Sequence, residues 1–110
     1  MQTTDVKPAQ VEAMRISVKE GKQEIGRAFL YIIYNNLHPG AYAYLEDVFV
    51  EEKFRREGVG IKILRTAQEE AMNRGCYKLV ATSRFSRRDV HEFYERFGFK
   101  RHGVEFRMDL

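Results

Sequence analysis

The loop Arg55–Gly60 constrains the fold of this chain more than any other segment, because two different hydrophobic patterns meet there. The residues before it, Tyr42–Val50, include the β-branched and aromatic side chains that favour a strand. From Gly60 onward, apolar residues recur every three or four positions, which predicts an amphipathic helix that stops at Gly75. The sequence therefore predicts a strand, a glycine-bearing loop and a helix in direct succession.

The first half of the chain predicts three strands in a row. Two β-rich runs, Met14–Val18 and Ile25–Tyr34, are separated by the turn-like cluster Lys19–Lys22, which is typical of a hairpin. A polar stretch with Pro39 and Gly40 then interrupts the chain before the third strand begins. We therefore expect an antiparallel meander.

The second half alternates helices and strands. Tyr77–Thr82 is a short apolar run that predicts a buried strand, and apolar residues at helical spacing predict a second helix that ends at Gly98. Phe99–Arg101 and the alternating residues of Val104–Leu110 predict a closing hairpin. This order of elements predicts an α/β (α+β) fold with a mixed, mostly antiparallel sheet flanked by helices.

Length and composition limit the number of domains and the kinds of protein and site that this chain can form. A chain of 110 residues, 44% of them hydrophobic, predicts one domain over residues 1–110. No apolar run approaches the roughly 20 residues that cross a bilayer, and the N-terminal residues lack a secretory signal, so we expect a cytoplasmic protein without a membrane partner. Cys76 and the scattered histidines lack metal-ligand spacing, so we predict no metal site.

The charge pattern is mildly basic in the second half. Residues 1–50 contain five basic and six acidic side chains, whereas residues 51–110 contain fourteen and ten. This excess favours a small acidic partner, but the many acidic residues dilute it too far to predict a nucleic-acid surface. A basic nucleic-acid-associated protein remains an alternative, which steep salt dependence of binding would support.

The loop Arg55–Gly60 has the composition of an anion-binding segment. Its two glycines let the backbone approach a ligand, and the unpaired amides of the following helix favour a phosphate or pyrophosphate. The common nucleotide motifs do not match, because Ile63 replaces a glycine of the dinucleotide motif and Ile61-Lys62 replace Lys-Ser/Thr of the triphosphate motif. Taken alone, the pattern also fits a turn that only caps a helix.

Two further segments give this loop a context. The strand Leu45–Val50 precedes it, and a Phe-Tyr-x-x-x-Gly-Phe segment, Phe93–Phe99, follows it. Together, over roughly residues 14–110, they resemble the GNAT N-acyltransferase superfamily. The resemblance implies the GNAT fold, acetyl-CoA as co-substrate and direct attack of an acceptor amine in a ternary complex.

The resemblance also implies which residues bind the coenzyme. Loop amides would hold the pyrophosphate, and the preceding strand would hydrogen-bond the pantetheine arm. These roles fall on Val48, Phe49, Val50, Arg55, Arg56, Glu57, Gly58, Val59, Gly60 and Ile61. Arg87 stands where the family often has an asparagine that contacts the coenzyme, so its guanidinium is expected to meet a coenzyme phosphate instead.

Three residues are candidates for proton transfer. Tyr94 would donate a proton to the departing thiolate, although its position beside Phe93 and Phe97 also fits a core aromatic residue. Glu46 and Asp47 would accept a proton from the acceptor amine, or would instead pair with a basic residue at the strand end. Adjacent strand residues point to opposite faces unless a bulge intervenes, so we expect at most one of them to serve and prefer Glu46.

The segment between the first two predicted strands, which forms a wall of the acceptor pocket in GNAT proteins, is shorter here than in the family. GNAT proteins usually contain one or two helices between their first two strands, and Lys19–Lys22 is too short to hold them. Either the first strand is absent with its helices or a partner chain supplies this wall of the pocket, and we expect a homodimer.

The acceptor itself is left open by the sequence. Short phrases such as Leu45–Asp47 and Gly103–Glu105 are similar to glucosamine-6-phosphate N-acetyltransferases. The expected acceptor is a small-molecule or peptide amine. The alternative function is that of a non-catalytic acyl-CoA sensor or partner-binding module.

Overall fold

The computed structural model describes residues 1–110. Its elements, in chain order, are β1 (Gln10–Glu20), β2 (Gln23–Tyr34), β3 (Tyr42–Val50), a 3₁₀ turn (Glu52–Phe54), α1 (Val59–Asn73), β4 (Leu79–Ala81) and α2 (Arg88–Phe97). They divide into two compact units, Met1–Val80 and Ala81–Leu110. Neither helix is long and apolar enough to cross a membrane. That the whole chain forms one domain stays a prediction.

The predicted hairpin is formed by β1 and β2. The two strands pair antiparallel along their length, with Glu20 opposite Gln23 at the turn. The turn residue Gly21 has a φ of 60°, a left-handed conformation that glycine adopts at little cost. A tight turn, and not a helix, therefore connects the first two strands, as the short segment Lys19–Lys22 predicts.

The sheet is mixed and has the strand order β1-β2-β3-β4. β2 and β3 pair antiparallel, and the predicted bounds of β3, Tyr42–Val50, are confirmed. β4 contains three residues against nine in β3, so most of one edge of β3 is not paired with a strand. The strand predicted over Tyr77–Thr82 is correct in place but too long.

The hydrophobic core of the first unit lies between the sheet and one face of α1. Its large, fully buried side chains are Leu30, Ile32, Leu45, Ile63 and Leu64. Gly26 of β2 lets the two layers approach closely, because a Cβ atom at this position would lie only 2.6 Å from Cγ1 of Val59. Close packing of this kind resists deformation, so the end of β3 and the start of α1 are held in fixed positions.

The second unit contains α2 and the chain that follows it. No residue of α2 is buried. The helix ends at Gly98, as predicted, with a φ of 129° at this glycine. The N–H groups of Gly98 and Phe99 donate to the carbonyl of Tyr94 at 3.2 and 3.0 Å, which satisfies one of the last helical carbonyls.

The C-terminal segment departs from the prediction. Residues 99–110 contain no strand, so the hairpin predicted from Phe99–Arg101 and Val104–Leu110 is wrong. The alternating apolar side chains of this segment are exposed, including 91% of Phe106. A two-stranded hairpin is marginal in water unless its apolar face packs on another layer, and no layer buries this face.

Candidate active site

A β-bulge interrupts β3 at the candidate acidic residues. The pairing between β2 and β3 shifts register between Arg27 and Phe29, so that Ala28 alone faces both Asp47 and Val48. Asp47 has a φ of 55°, which is uncommon for a residue other than glycine. Because a bulge breaks the alternation of side chains, it is the condition under which adjacent carboxylates need not point to opposite faces.

The carboxylate of Glu46 lies just before this bulge. The Tyr31 hydroxyl donates a hydrogen bond to Oε1 of Glu46 at 3.2 Å. Partial desolvation is the largest cause that raises the pKa of Tyr31, and the hydrogen bond to the Glu46 carboxylate is the second. Glu46 itself is exposed, so it is accessible to a substrate. No local sequence pattern marks Tyr31, since only the cross-strand register brings it to Glu46.

Arg27 of the neighbouring strand β2 contacts the bulge. Its Nη1 atom donates to the backbone carbonyl of Asp47 at 2.5 Å. Its guanidinium also lies 5.2 Å from the ring centroid of Phe49, which is within cation–π range. No local sequence pattern marks Arg27 either. Two side chains of β2 therefore fix the backbone and a side chain of β3 where the bulge occurs.

The end of β3 is bound to the loop that follows it. Nε of Arg55 donates to the carbonyl of Val50 at 2.9 Å, and its guanidinium lies 5.8 Å from the Phe49 ring centroid. Arg55 thus fastens the loop to the strand. β4 contains only three residues, so it covers only part of the outer edge of β3, and at the end of that strand the Val50 carbonyl already accepts the hydrogen bond from Arg55.

The loop leaves amides unpaired at the start of α1. Gly58 is the N-terminal cap with a φ of 82°, and no side chain caps the helix. The first helical bond runs from Lys62 N–H to the Gly58 carbonyl at 3.1 Å, so the amides of Val59, Gly60 and Ile61 have no partner within the helix. A Cβ atom at Gly58 would meet no atom within 4 Å, so the space above the loop is open. These features fit the pyrophosphate of a coenzyme.

Tyr94 lies in an aromatic cluster of the second unit. Its ring centroid is 5.9 Å from that of Phe93 and 5.3 Å from that of Phe99. The expected contact with Phe93 is therefore present, and the second neighbouring ring belongs to Phe99. The side chain is half-buried, so it is not a fully enclosed core residue.

Arg87 stands at the N-terminus of α2 in the same unit. Its Nε atom lies 3.2 Å from Oδ1 of Asp89, and this pairing lowers the pKa of Asp89. The two side chains are 58% and 72% exposed, so the ion pair adds little stability. A coenzyme phosphate would have to compete with Asp89 for this guanidinium.

The family of this chain follows from its match to a protein-family model. The model of the Acetyltransferase (GNAT) family matches residues 6–99. This chain belongs to that family. The resemblance and the fold class predicted from the sequence are thereby confirmed.

Several relatives of this GNAT chain are named as N-acetyltransferases. Thialysine N-epsilon-acetyltransferase of Mus musculus is 37% identical over 57 residues, which are 52% of this chain and 33% of that protein. Glucosamine 6-phosphate N-acetyltransferase of Trypanosoma brucei brucei is 34% identical over 70 residues, which are 64% of this chain and 46% of that protein. The chain thus spans between a third and a half of the length of these relatives.

A solved structure extends the match to nearly the whole chain. An acetyltransferase of Trypanosoma brucei superposes with a TM-score of 0.78 and 27% identity, over 93% of this chain and 70% of that one. The GNAT fold therefore accounts for both units of this chain, each taken by itself.

Most of the predicted site residues lie together in the first unit. Glu46 and Asp47 occur at the bulge, and Val48–Val50 lead into the loop Arg55–Ile61. Tyr94 and Arg87 belong to the second unit. The individual roles of all these residues stay predictions.

The second unit also forms an open cleft that no sequence motif predicts. It has a volume of about 410 Å³ and is lined by Phe85, Arg88, His91, Glu92 and Arg101. Nε2 of His91 lies 2.7 Å from the carbonyl oxygen of Arg84, which orients the imidazole. Arg101 pairs with Glu95 at 3.1 Å, so part of the basic charge is already compensated.

Proposed function

We propose that this protein transfers the acetyl group of acetyl-CoA to a primary amine by direct attack in a ternary complex. The observation that supports this most is the loop Arg55–Gly60, whose open backbone amides follow the bulged strand β3 in a member of the GNAT family. When bound, acetyl-CoA supplies a thioester whose carbonyl carbon accepts the amine and whose sulfur departs.

The first unit would bind the coenzyme mainly through its backbone. The amides of Val59–Ile61 at the uncapped start of α1 would bind the pyrophosphate. Backbone groups of Val48–Val50 that no other group occupies would hydrogen-bond the pantetheine arm. Backbone N–H groups of the same strand segment would polarise the carbonyl of the thioester. Arg87 of the second unit would contribute a side-chain contact to a phosphate.

Glu46 and Tyr94 would each have a separate role in proton transfer. An amine with a pKa of about 10 is mostly protonated at neutral pH, so Glu46 first accepts a proton from the ammonium group. The neutral nitrogen then forms the C–N bond as the C–S bond breaks. Tyr94 gives its hydroxyl proton to the sulfur, and the second proton that leaves the nitrogen restores the phenol. Asp47 is the second candidate for the base.

The acceptor we propose is a small-molecule or peptide amine. The names of the relatives include thialysine and glucosamine 6-phosphate, and both of these compounds contain a primary amine. The exposed carboxylates at the bulge favour a cationic group of this kind.

The test is thiol release from acetyl-CoA by the full chain, with a panel of polyamines, amino acids, amino sugars and peptide amines. At least one amine should accelerate release above hydrolysis. Glu46→Gln should lower this rate about 100-fold and Tyr94→Phe about tenfold, whereas the control Tyr34→Phe should not change it. Acetyl-CoA binding without turnover on any amine would favour the acyl-CoA sensor instead.

We further propose that the protein acts as a cytoplasmic homodimer. Apolar side chains on the sheet, such as Val11 (53% exposed) and Phe49 (43% exposed), would be covered by a second copy. Light scattering coupled to gel filtration should give twice the mass of the chain, and the mass of one chain would contradict the dimer.

A further inference from the structure

We infer that Tyr31 is a positioning residue that orients the Glu46 carboxylate toward the acceptor amine. This inference rests on the proposed acetyl transfer and adds a residue from β2 to it. Tyr31 would not touch the reacting atoms, and it would act through its hydrogen bond to Glu46.

The pairing of β2 and β3 brings these two side chains to one face of the sheet. Tyr31 pairs with Tyr44, and Phe29 pairs with Glu46, so Tyr31 and Glu46 are diagonal neighbours across the strands. Aromatic side chains are long enough to bridge a diagonal pair. Glu46 is also the last residue of β3 before the register shift, so its own backbone position is still set by regular pairing.

The hydrogen bond leaves the carboxylate able to accept a proton. Tyr31 uses Oε1 of Glu46, so Oε2 keeps its lone pairs for the acceptor ammonium. No salt bridge of the structure involves Glu46. A lysine or arginine in place of Tyr31 would form an ion pair with Glu46, whereas a phenol orients the carboxylate without adding a positive charge.

Tyr31 is suited to remain a donor throughout the neutral range. Partial desolvation and the charges of Glu46 and Asp47 raise its pKa, so the hydroxyl keeps its proton. The nearby guanidinium of Arg27 is already bound to the Asp47 carbonyl. A mobile carboxylate on an exposed strand samples several rotamers, and one fixed donor reduces that freedom before the substrate arrives.

The experiment is a double-mutant cycle on thiol release with the best amine of the panel. Tyr31→Phe should lower kcat/KM for the amine about tenfold, and KM for acetyl-CoA should stay within about twofold. In the Glu46→Gln background, measured by single-turnover quench, the same change should have almost no effect, because its partner is gone. Tyr34→Phe, which removes a hydroxyl from the same strand, is the matched control.

Two results would overturn the inference while leaving the proposed function intact. The first is a Tyr31→Phe enzyme with full activity toward the amine. The second is an equal loss in both backgrounds, which would mean that Tyr31 supports the sheet and not Glu46; urea unfolding of each variant checks this directly. A wild-type chain that releases no thiol with any amine would instead contradict the proposed function.

Discussion

The two compact units of this chain differ in where their apolar side chains lie. Every buried hydrophobic side chain occurs in Met1–Val80, between Ile16 and Ala71. Residues 81–110 contain no buried residue, and large side chains such as Phe85 are mostly exposed. Apolar burial is the main favourable term in folding, so the stability of the fold resides in the sheet and α1.

The same difference separates the predicted site residues of the two units. In the first unit, Val48–Val50 and the loop Arg55–Ile61 offer mainly backbone groups, which the core beneath them holds in place. In the second unit, Tyr94 offers a side chain on α2, of which no residue is buried, and Arg87 offers one at the N-terminal cap of that helix. Substitutions of buried side chains in the first unit should therefore lower stability far more than substitutions of the partly exposed side chains in the second unit.

The largest expected effect is the loss of a core side chain. Ile63 of α1 is fully buried, so Ile63→Ala should lower the free energy of unfolding by about 2–5 kcal/mol. Phe93→Ala, in the half-exposed aromatic cluster of α2, should cost about 1 kcal/mol. Urea unfolding measures both, and equal losses would contradict the division between the units.

The close approach of β2 and α1 gives a second contrast between the units. Gly26→Ala places a Cβ atom 2.6 Å from Cγ1 of the stiff Val59 side chain, so it should cost about 1–3 kcal/mol. Gly103→Ala in the second unit meets no atom within 4 Å and should change stability by less than about 0.5 kcal/mol. Thermal unfolding of the two variants would reveal whether the layers are packed as tightly as this.

A substitution in the loop Arg55–Gly60 should weaken the binding of acetyl-CoA. At Gly58, φ is 82°, so Gly58→Ala strains the backbone and places a methyl group where the pyrophosphate would approach. We expect about tenfold weaker acetyl-CoA binding by calorimetry. Gly21→Ala is the matched control, because Gly21 also has a left-handed φ, of 60°, and lies in the hairpin turn. Equal affinity losses in both variants would mean that strain alone weakens binding.

The smallest expected effect concerns a surface ion pair of the first unit. Hydrogen bonds from Arg15 and Ser17 lower the pKa of Glu24 from 4.5 to about 2. A carboxyl group with a lowered folded-state pKa stabilises the fold above pH 4.5, and this contribution disappears as the pH falls toward 2. The wild type should thus lose its stability advantage over Glu24→Gln in that window.

Acid unfolding at two salt concentrations measures this effect. The pair is exposed, so the difference should be small and should shrink in high salt. Asp89→Asn in the second unit should show an even smaller difference, since its pair with Arg87 is more exposed. A larger effect at Asp89 would reverse the ranking of the two units.

Local patterns predicted most of the fold. The bounds of β3 and the end of α2 at Gly98 follow from residues within each segment, and both are confirmed. β1 begins at Gln10 and not at Met14, because pairing with β2 extends it through residues that have no strand signal of their own. Val104–Leu110 shows the converse, since a clean alternation forms no strand without a layer to cover it.

The site residues that are contiguous in sequence were predictable, whereas the contacts between neighbouring strands were not. The glycine loop and the residues near it are contiguous, so the family resemblance located them. Tyr31 and Arg27 reach the site through the register of β2 and β3, which depends on the bulge at Asp47. No local pattern marks a bulge at an acidic residue, so these two contacts required the structure.

The central claim is that the loop between β3 and α1 binds acetyl-CoA. Its most direct test is a calorimetric titration of the full wild-type chain with acetyl-CoA. We predict saturable binding with one site per chain, which free CoA displaces. No heat of binding at millimolar acetyl-CoA would contradict the account.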